Sequence, residues 1–307
     1  MKVFRGFEGV GRFNNPVVTT GSFDGVHIGH KAIINRLKRH ASIIKGETLL
    51  ITFYPHPRKV LYPETEGKNL RLITTLEEKI YLLEKTGLDN VIIVEFTPEF
   101  AKTTCEEFVK KYLVDTIGAR VVVVGFNHYF GWHRQGDFHF LQELGRKYGF
   151  EAEEIPEQEI EHEAVSSTRV RKAISEGYIQ RANAYLESFY MITGQLTETK
   201  EFELTGHNFF RMHIYDKEDK LVPPPGIYAT SIEKEKRKVR GLVLITGKQE
   251  TEKEIYFHPL DDSINFVLEK TRILFHKRIT EEIEVKDQKI LINSLGRAIR
   301  ETEELIY

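Results

Sequence analysis

Several residue types that define whole classes of protein are scarce in this 307-residue chain. It has one cysteine, Cys105, which excludes a disulfide scaffold and a zinc site built from several cysteines. Its 44 lysines and arginines are balanced by 46 aspartates and glutamates, so the net charge of -2 creates no broad cationic field for nucleic acid. We therefore expect any phosphate to be bound locally.

Long apolar runs are also lacking. None approaches the ~18–20 residues that a transmembrane helix needs, and the first residues, MKVFRGFEGVGRFNNP, lack the continuous apolar stretch of a signal peptide. The composition, with 40% hydrophobic and 29% charged residues, is typical of a globular protein with a sizeable core. We expect a cytoplasmic protein that binds neither membranes nor nucleic acid, and the chain length favours two domains.

Short β-branched runs alternate with longer helical patterns in the first half of the chain, which is typical of an α/β fold with a parallel sheet. The predicted strands are apolar enough to be buried on both faces, and they cover residues 16–23, 48–53, 90–95 and 120–125. Apolar residues spaced three and four apart predict helices over residues 29–44, 76–85 and 104–117. Capping hydroxyls predict a further helix that begins at Ser166 or Ser167 and ends at Gly177.

The pattern changes near residues 187–192. Short alternating segments, a PPPG turn at 223–226 and charged connections such as EKEKRK then predict a small antiparallel β domain. The last stretch, residues 293–307, predicts a terminal helix packed on that domain. We therefore divide the chain into a domain of residues 1–188 and a domain of residues 189–307.

The segment GSFDGVHIGHK, residues 21–31, follows a buried strand and precedes a helix. It therefore lies at the carboxyl end of a strand, where open α/β sheets bind ligands. Its three glycines allow the backbone to turn tightly and approach a ligand, and the N–H groups of the helix start can bind an anion. His27 and His30 can point at one phosphate, which suits the stabilisation of charge in nucleotidyl transfer.

Two histidines three residues apart are a weak signal by themselves, because such a pair is often a surface pair or a coincidence. The glycines and the strand–turn–helix context favour the functional interpretation. The pattern G-x-x-x-x-G-K-[ST] is absent from the chain, and this loop does not read G-x-G-x-x-G. These absences disfavour a P-loop kinase and an NAD-dependent dehydrogenase.

A second segment, SSTRVR at residues 166–171, places three hydroxyls before two arginines, Arg169 and Arg171. One interpretation is an ordinary capped helix with solvated cations. The other is a clamp in which hydroxyls, helix amides and arginines bind the β- and γ-phosphates of a nucleotide. Together with the first segment, it would provide partners for both ends of a triphosphate such as ATP.

These segments resemble the prokaryotic FAD synthetase family, the bifunctional riboflavin kinase/FMN adenylyltransferases of the HxGH nucleotidyltransferase superfamily. GSFDGVHIGH at 21–30 is similar to the first signature of the family, with Ser22 where asparagine is frequent. Four further segments match in order: TFYPHPRKVL at 52–61, RLITTLEEKIYLLEKTGLDNVIIVEF at 71–96, VVGFNHYFGWHRQGD at 123–137 and SSTRVR at 166–171. Ordered matches over the whole first domain are far more specific than any single one.

The resemblance implies a Rossmann-like nucleotidyltransferase domain that uses ATP and Mg²⁺ to convert FMN into FAD and pyrophosphate. It implies that His27 and His30 are catalytic and stabilise the α-phosphate. The implied ATP-binding residues are Gly21, Ser22, Phe23, Gly29, Ser166, Ser167, Thr168 and Arg171. The implied flavin-binding residues are Pro55, His56, Pro57, Arg58 and Asn127. The aromatic residues Tyr54, Phe126 and Phe130 are either part of this flavin side or part of the core.

The resemblance is weaker in the second domain, which in the family is a β-barrel riboflavin kinase whose ATP–Mg site carries the string Gly-x-Pro-Thr-Ala-Asn. The best match, GHNFFRM at 206–212, has Phe209 in place of the threonine and Arg211 in place of the asparagine. Neither side chain offers the oxygen ligand that Mg²⁺ prefers. PPPGIYATSI at 223–232 keeps the turn and strand of the family, and Glu254 is a candidate for the catalytic glutamate of the kinase.

Two interpretations of this domain follow. We favour a barrel that keeps the fold without the kinase chemistry, and the alternative is a divergent but active kinase that would make the chain bifunctional.

For the first domain, one alternative is a nucleotidyltransferase for another small phosphorylated substrate, which the PHPR and GFNHYFG segments disfavour. Another is a silent flavin or nucleotide sensor, which the intact histidines and SSTRVR disfavour. Metal ligands, oligomeric state and the physiological flavin stay open.

Overall fold

The computed structural model of the chain describes residues 1–126, 128–160, 163–215, 219–234, 237–247, 253–260, 270–281 and 288–305. Packing divides the chain into two compact units. The sheet unit comprises Met1–Leu70 and Lys79–Ser166, and the barrel unit comprises Arg71–Glu78 and Ser167–Tyr307. The short segment Arg71–Glu78 thus packs with the barrel although it lies early in the sequence, and the division at residue 188 stays a prediction.

The sheet unit is built on a six-stranded parallel sheet. Its strands are β1 (Lys2–Arg5), β2 (Val17–Thr20), β3 (Thr48–Tyr54), β4 (Asn90–Glu95), β5 (Val121–Gly125) and β6 (Glu151–Ile155), followed by the short antiparallel pair β7 (Glu159–Ile160) and β8 (Glu163–Ala164). The helices in this part of the sequence are α1 (Ile28–Ile44), α2 (Pro57–Leu61), α3 (Leu76–Lys85), α4 (Cys105–Glu107) and α5 (Phe138–Tyr148). The strand order is β1-β4-β3-β2-β5-β6. The predicted α/β class with a parallel sheet is confirmed.

The four predicted strands are the four central strands, β2 to β5. Their runs of valine, isoleucine and leucine are buried along nearly their whole length, as strands covered on both faces should be. The sequence analysis missed β1 and β6, which form the two edges of the sheet. β6 reads EAEEI, and such charged residues are typical of an edge strand rather than of an apolar run.

The helix predicted over residues 104–117 forms, with one difference in its winding. Thr104 caps its start in a reciprocal capping box with Glu107. From Phe108 to Ile117 the backbone continues as a π-helix, in which Phe108 and Leu113, five residues apart, are both buried. A search for three- and four-residue spacing detects the apolar face of this segment but not its wider turn.

The barrel unit begins with two short helices, continues as six antiparallel strands and ends in a long helix. Its elements are α6 (Ser167–Ser175), α7 (Ile179–Leu186), β9 (Tyr190–Glu198), β10 (Phe210–Ile214), β11 (Gly226–Lys234), β12 (Arg237–Thr246), β13 (Glu254–Pro259), β14 (Lys270–Thr280) and α8 (Gln288–Glu304). The strands close into a barrel in the order β10-β13-β12-β11-β14-β9. Leu291, Leu295 and Ala298 of α8 join the apolar cluster of this unit. The predicted barrel with a C-terminal helix is confirmed.

A buried ion pair attaches the segment Arg71–Glu78 to the barrel. Lys220 Nζ donates to Glu78 Oε2 at 2.5 Å and to the carbonyl of Ile73 at 2.6 Å, and both charged side chains are fully buried. The backbone N–H of Thr193 in β9 donates to Glu78 Oε1 at 2.7 Å. The carboxylate therefore links three parts of the unit, and the hydrogen bonds around it offset the cost of burying its charge.

The Glu78–Lys220 pair leads to a prediction about stability. Lys220→Met removes the cation and leaves the Glu78 carboxylate buried, so we expect it to lower the free energy of unfolding by about 3–5 kcal/mol. Urea denaturation followed by circular dichroism measures this change. Lys172→Met is the matched control, because Lys172 lies 3.9 Å from Glu176 in an exposed pair, and such a pair contributes ~1 kcal/mol or less. A similar small loss in both variants would contradict the structural role of Lys220.

Candidate functional site

Strand β2 lies between β3 and β5 and is parallel to both. The chain leaves β2 toward β3 and returns at β5 on the other side, so the strand order reverses there. In open α/β sheets such a switch point forms a crevice at the carboxyl ends of the strands, where ligands bind. The predicted segment 21–31 begins directly after β2, and the GFNHYFG segment begins at the end of β5. The two segments therefore border the same crevice.

The loop after β2 has a strained and tightly packed backbone. Its start is tied to β3, because Gly21 N donates to the carbonyl of Ile51 at 3.0 Å. Phe23, Gly25 and Val26 have positive φ angles of 48°, 86° and 46°. This conformation suits the glycine but costs about 1–3 kcal/mol at other residues. The side chains of Phe23 and Val26 are buried, and their packing maintains the strained turn.

His27 and His30 are brought together by this turn and the first turn of α1. Their rings stack with centroids 3.7 Å apart, and the ring of Phe23 stacks on the other side of His30 at 4.3 Å. Burial lowers the pKa of His30 well below its ordinary value, and the nearby His27 and Lys79 lower it further. His30 is therefore a neutral imidazole at neutral pH, with one donor nitrogen and one acceptor nitrogen.

The start of α1 is arranged to bind an anion. His27 occupies the N-cap position with extended backbone angles, and its side chain makes no capping hydrogen bond. The amides of the first helical turn and the helix dipole thus point toward the turn that carries the two histidines. A Cβ added at Gly29 would lie 3.2 Å from the His27 ring and 4.0 Å from the carbonyl of Val165. Glycine therefore allows the His27 ring to approach the helix closely, whereas the Val165 carbonyl would be at an ordinary contact distance.

The SSTRVR segment is placed at the start of α6. Ser166 is the last residue of the sheet unit, and the helix begins at Ser167, as the sequence predicts. Thr168 and Arg171 follow within α6, in the barrel unit. The structure thus confirms that this segment opens a helix, whereas its role in binding phosphates stays a prediction.

The segment on the predicted flavin side has a structural role of its own. His56 Nδ1 accepts a hydrogen bond from Arg58 N at 3.2 Å and caps α2, and Pro57 occupies the first turn of that helix, where its missing N–H costs nothing. Pro55 directly follows β3 and precedes this cap. The PHPR string is therefore explained in part by local structure alone.

The aromatic residues of the crevice divide into two groups. Tyr54 and Phe126 are 36% and 49% exposed, so the alternative that they are core residues is wrong for both. Phe130 packs against the apolar cluster of the sheet unit, and the core alternative is confirmed for it. Asn127, the remaining candidate on this side, lies outside the described residues.

Lys79 is a buried charge at this site that the sequence analysis did not single out. It belongs to α3 and is 7% exposed, and its Nζ donates to the carbonyl of Ser22 at 3.0 Å. Burial lowers its pKa to about 8, and the buried carboxylate of Asp24 acts in the opposite direction. The only sequence signal was a lysine next to a glutamate in a helix, which usually indicates a solvated surface.

The barrel residues that the sequence analysis compared with the kinase motif, Phe209, Arg211 and Glu254, make contacts with other side chains of the barrel unit. Phe209 is 3% exposed and packs against the rings of Phe202 and His258. Arg211 forms an ion pair with Glu254, the candidate catalytic glutamate. The hydroxyl of Tyr256 lies 2.6 Å from the same carboxylate and 2.5 Å from that of Glu201, so the two acceptors share its one proton, and its pKa is raised by burial and by both carboxylates. The Glu254 carboxylate is thus engaged by a cation and a phenol.

Among the residues that the structure describes, no group of three or more histidine, cysteine, aspartate or glutamate residues is arranged to hold a metal ion. Within the same residues, no helix has both the length and the apolar character needed to cross a membrane.

Comparison with known proteins extends over both halves of the chain. A family model described as FAD synthetase matches residues 12–169, and one described as riboflavin kinase matches residues 186–306. A protein of Listeria monocytogenes named bifunctional riboflavin kinase/FMN adenylyltransferase is 34% identical over 70% of this chain and 67% of its own length. A protein of Buchnera aphidicola with the same name is 27% identical over 97% of this chain and 96% of its own.

A solved structure shares the fold. It is described as a macrolide-efflux protein from Streptococcus pneumoniae, and it matches with a TM-score of 0.89 over 100% of both chains at 21% sequence identity. This likeness concerns the fold alone. The family models and the sequence relatives, by contrast, show that the chain belongs to the FAD synthetase family of bifunctional riboflavin kinase/FMN adenylyltransferases.

Proposed function

We propose that the sheet unit is an FMN adenylyltransferase, which transfers AMP from MgATP to FMN and releases pyrophosphate. The stacked pair His27–His30 at the start of α1 carries this proposal. A neutral imidazole, a helix N-terminus and a tight turn together form a site for a phosphate on which negative charge increases. Family membership supports flavin as the second substrate, over another phosphorylated small molecule.

The proposed reaction requires no covalent intermediate with the protein. An oxygen of the FMN phosphate attacks the α-phosphorus of ATP, a new P–O bond forms, and the bond to the β-phosphate breaks. The electron pair of that bond leaves with pyrophosphate. FMN phosphate is an anion at neutral pH, so the protein mainly aligns two reactants and stabilises charge at the α-phosphate.

Each group of residues has a part in this scheme. His27 and His30 donate hydrogen bonds to the α-phosphate, and Gly21, Ser22, Phe23 and Gly29 form the cradle around the nucleotide. Ser166, Ser167, Thr168 and Arg171 hold the two phosphates that leave. Pro55, His56, Pro57, Arg58 and Asn127 shape the flavin side, where the exposed rings of Tyr54 and Phe126 offer surfaces for stacking. Mg²⁺ enters with ATP as part of the substrate.

We also propose that the barrel unit lacks riboflavin kinase activity. Phe209 is part of the apolar core, so the position offers no oxygen ligand for Mg²⁺. Arg211, at the second position, pairs with Glu254 and offsets the charge that a catalytic carboxylate would bring to a metal–nucleotide site. The alternative, an active divergent kinase, is supported by the match of the riboflavin kinase model to residues 186–306.

Loss of either histidine should remove most of the adenylyltransferase activity. We expect His27→Ala and His30→Ala each to lower kcat for FAD formation by about 10²–10³-fold, because each removes a donor to the developing charge. Separation of FMN and FAD by liquid chromatography measures the rate. The matched control is His139→Ala, since His139 is an exposed residue of α5 with 77% of its side chain accessible. Near-normal rates in both site variants would rule out these roles.

Riboflavin distinguishes the two interpretations of the barrel. With riboflavin and MgATP we expect no FMN and no FAD, whereas FMN and MgATP should give FAD, because only the sheet unit retains its chemistry. The same chromatographic assay measures both reactions. Steady formation of FMN from riboflavin would overturn the proposal for the barrel, and its loss in Glu254→Gln would then locate the kinase site at Glu254.

A further inference from the structure

Lys79 lies beneath the loop that carries the two histidines. Its Nζ donates to the carbonyl of Ser22 at 3.0 Å, to Thr52 Oγ1 at 3.1 Å and, at 3.5 Å, to the carbonyl of Phe53. Ser22 is in the loop after β2, whereas Thr52 and Phe53 are at the end of β3. The ammonium group therefore joins the loop to the neighbouring strand.

A second hydrogen bond closes this arrangement. Thr52 Oγ1 donates to the carbonyl of Ser22 at 3.2 Å while it accepts from Lys79. The Ser22 carbonyl thus receives two donors and is fixed at the point where the chain enters the strained turn at Phe23. Ser22 directly precedes Phe23, and the ring of Phe23 stacks on His30. The position of the Ser22 carbonyl therefore influences the position of the His30 ring.

The location of a charge here requires a reason, because an ammonium group is costly to bury. Thr52 and Lys79 are 1% and 7% exposed. An apolar side chain in the space of Lys79 would fill the core without the free-energy cost of burying a charge. Asp24, also buried, provides the opposite charge from within the loop itself. The lysine therefore attracts the loop through charge as well as through hydrogen bonds, and this arrangement suits a part of the chain that must hold one conformation against strain.

We propose that Lys79 is a positioning residue for the nucleotide, which fixes the loop of residues 21–27 so that His27, His30 and the start of α1 meet the ATP phosphates in one orientation. The inference rests on the adenylyltransferase function proposed above. It assigns Lys79 no contact with substrate. Its removal should therefore change KM for MgATP and kcat, which depend on the loop, and leave the binding of FMN nearly unchanged.

The test is steady-state kinetics of FAD formation by the full chain, with MgATP and FMN varied in turn. Lys79→Met removes the charge and all three donors while it keeps the length of the side chain. We expect a rise in KM for MgATP and a fall in kcat of up to about 10²-fold, as a small displacement of reacting groups produces. KM for FMN should stay within about twofold of wild type, because the contact of the ammonium group nearest to the flavin-side residues, with the carbonyl of Phe53, is its longest at 3.5 Å, whereas its contact with Ser22 of the loop is 3.0 Å.

Two comparisons separate positioning from a general loss of folded protein. Lys38→Met is the matched control, because Lys38 is an exposed lysine of α1 that donates to the carbonyl of Thr86 at 2.9 Å, and its kinetics should equal those of wild type. Thr52→Val preserves shape and removes the shared hydroxyl, so it should raise KM for MgATP in the same direction by a smaller factor. It decides the question if Lys79→Met does not fold.

The outcomes are distinct. An effect confined to MgATP and kcat supports the proposal. Unchanged kinetics in Lys79→Met, or in Thr52→Val where the first variant does not fold, overturns it, as does a fall in kcat that follows the folded fraction with both KM values unchanged. Failure of the wild-type chain to make FAD from FMN would instead overturn the proposed function itself.

Discussion

The parallel pairing of β2 with β3 on one side and β5 on the other is the constraint on which the candidate site depends. It sets the end of each strand at the same edge of the sheet, and it reverses the strand order between β2 and β5. The loop of residues 21–27 must then turn sharply at this edge to enter α1. This turn stacks the two histidines and places His27 at the N-cap of α1. The buried Lys79 in turn fixes the loop through the carbonyl of Ser22.

Buried charge has a different purpose at each of two consecutive residues. Glu78 pairs with Lys220 inside the barrel unit, and Lys79 holds the loop of residues 21–27 inside the sheet unit. Each contact has a desolvation cost, since it takes a charged group out of water. In both places the charge fixes chain segments that are far apart in sequence, whereas an apolar contact would be less directional. The main effect of Glu78 and Lys79 is therefore to fix the positions of these chain segments rather than to increase the free energy of unfolding.

The two units carry unequal functional signals. In the sheet unit, groups that can bind a phosphate, namely the neutral imidazole of His30, helix amides and a tight glycine turn, are found together. In the barrel unit, the positions at which the family resemblance implies a metal–nucleotide site hold Phe209, in the core, and the ion pair Arg211–Glu254. A barrel can keep its fold under these substitutions, because Phe209 adds apolar packing and the arginine satisfies the carboxylate.

The sequence by itself determined the α/β class, the central strands β2 to β5, the helix starts at residues 28 and 167 to within one residue, and the barrel with its terminal helix. These features depend on local periodicity, capping and turn residues, which each segment carries within itself. Only the tertiary structure decided that Glu78 and Lys79 are buried, that Tyr54 and Phe126 are exposed, and that Arg211 pairs with Glu254. Burial and pairing are set by residues distant in sequence, so a helix reading LEEKIYLLEK looks like a solvated surface until its neighbours are known.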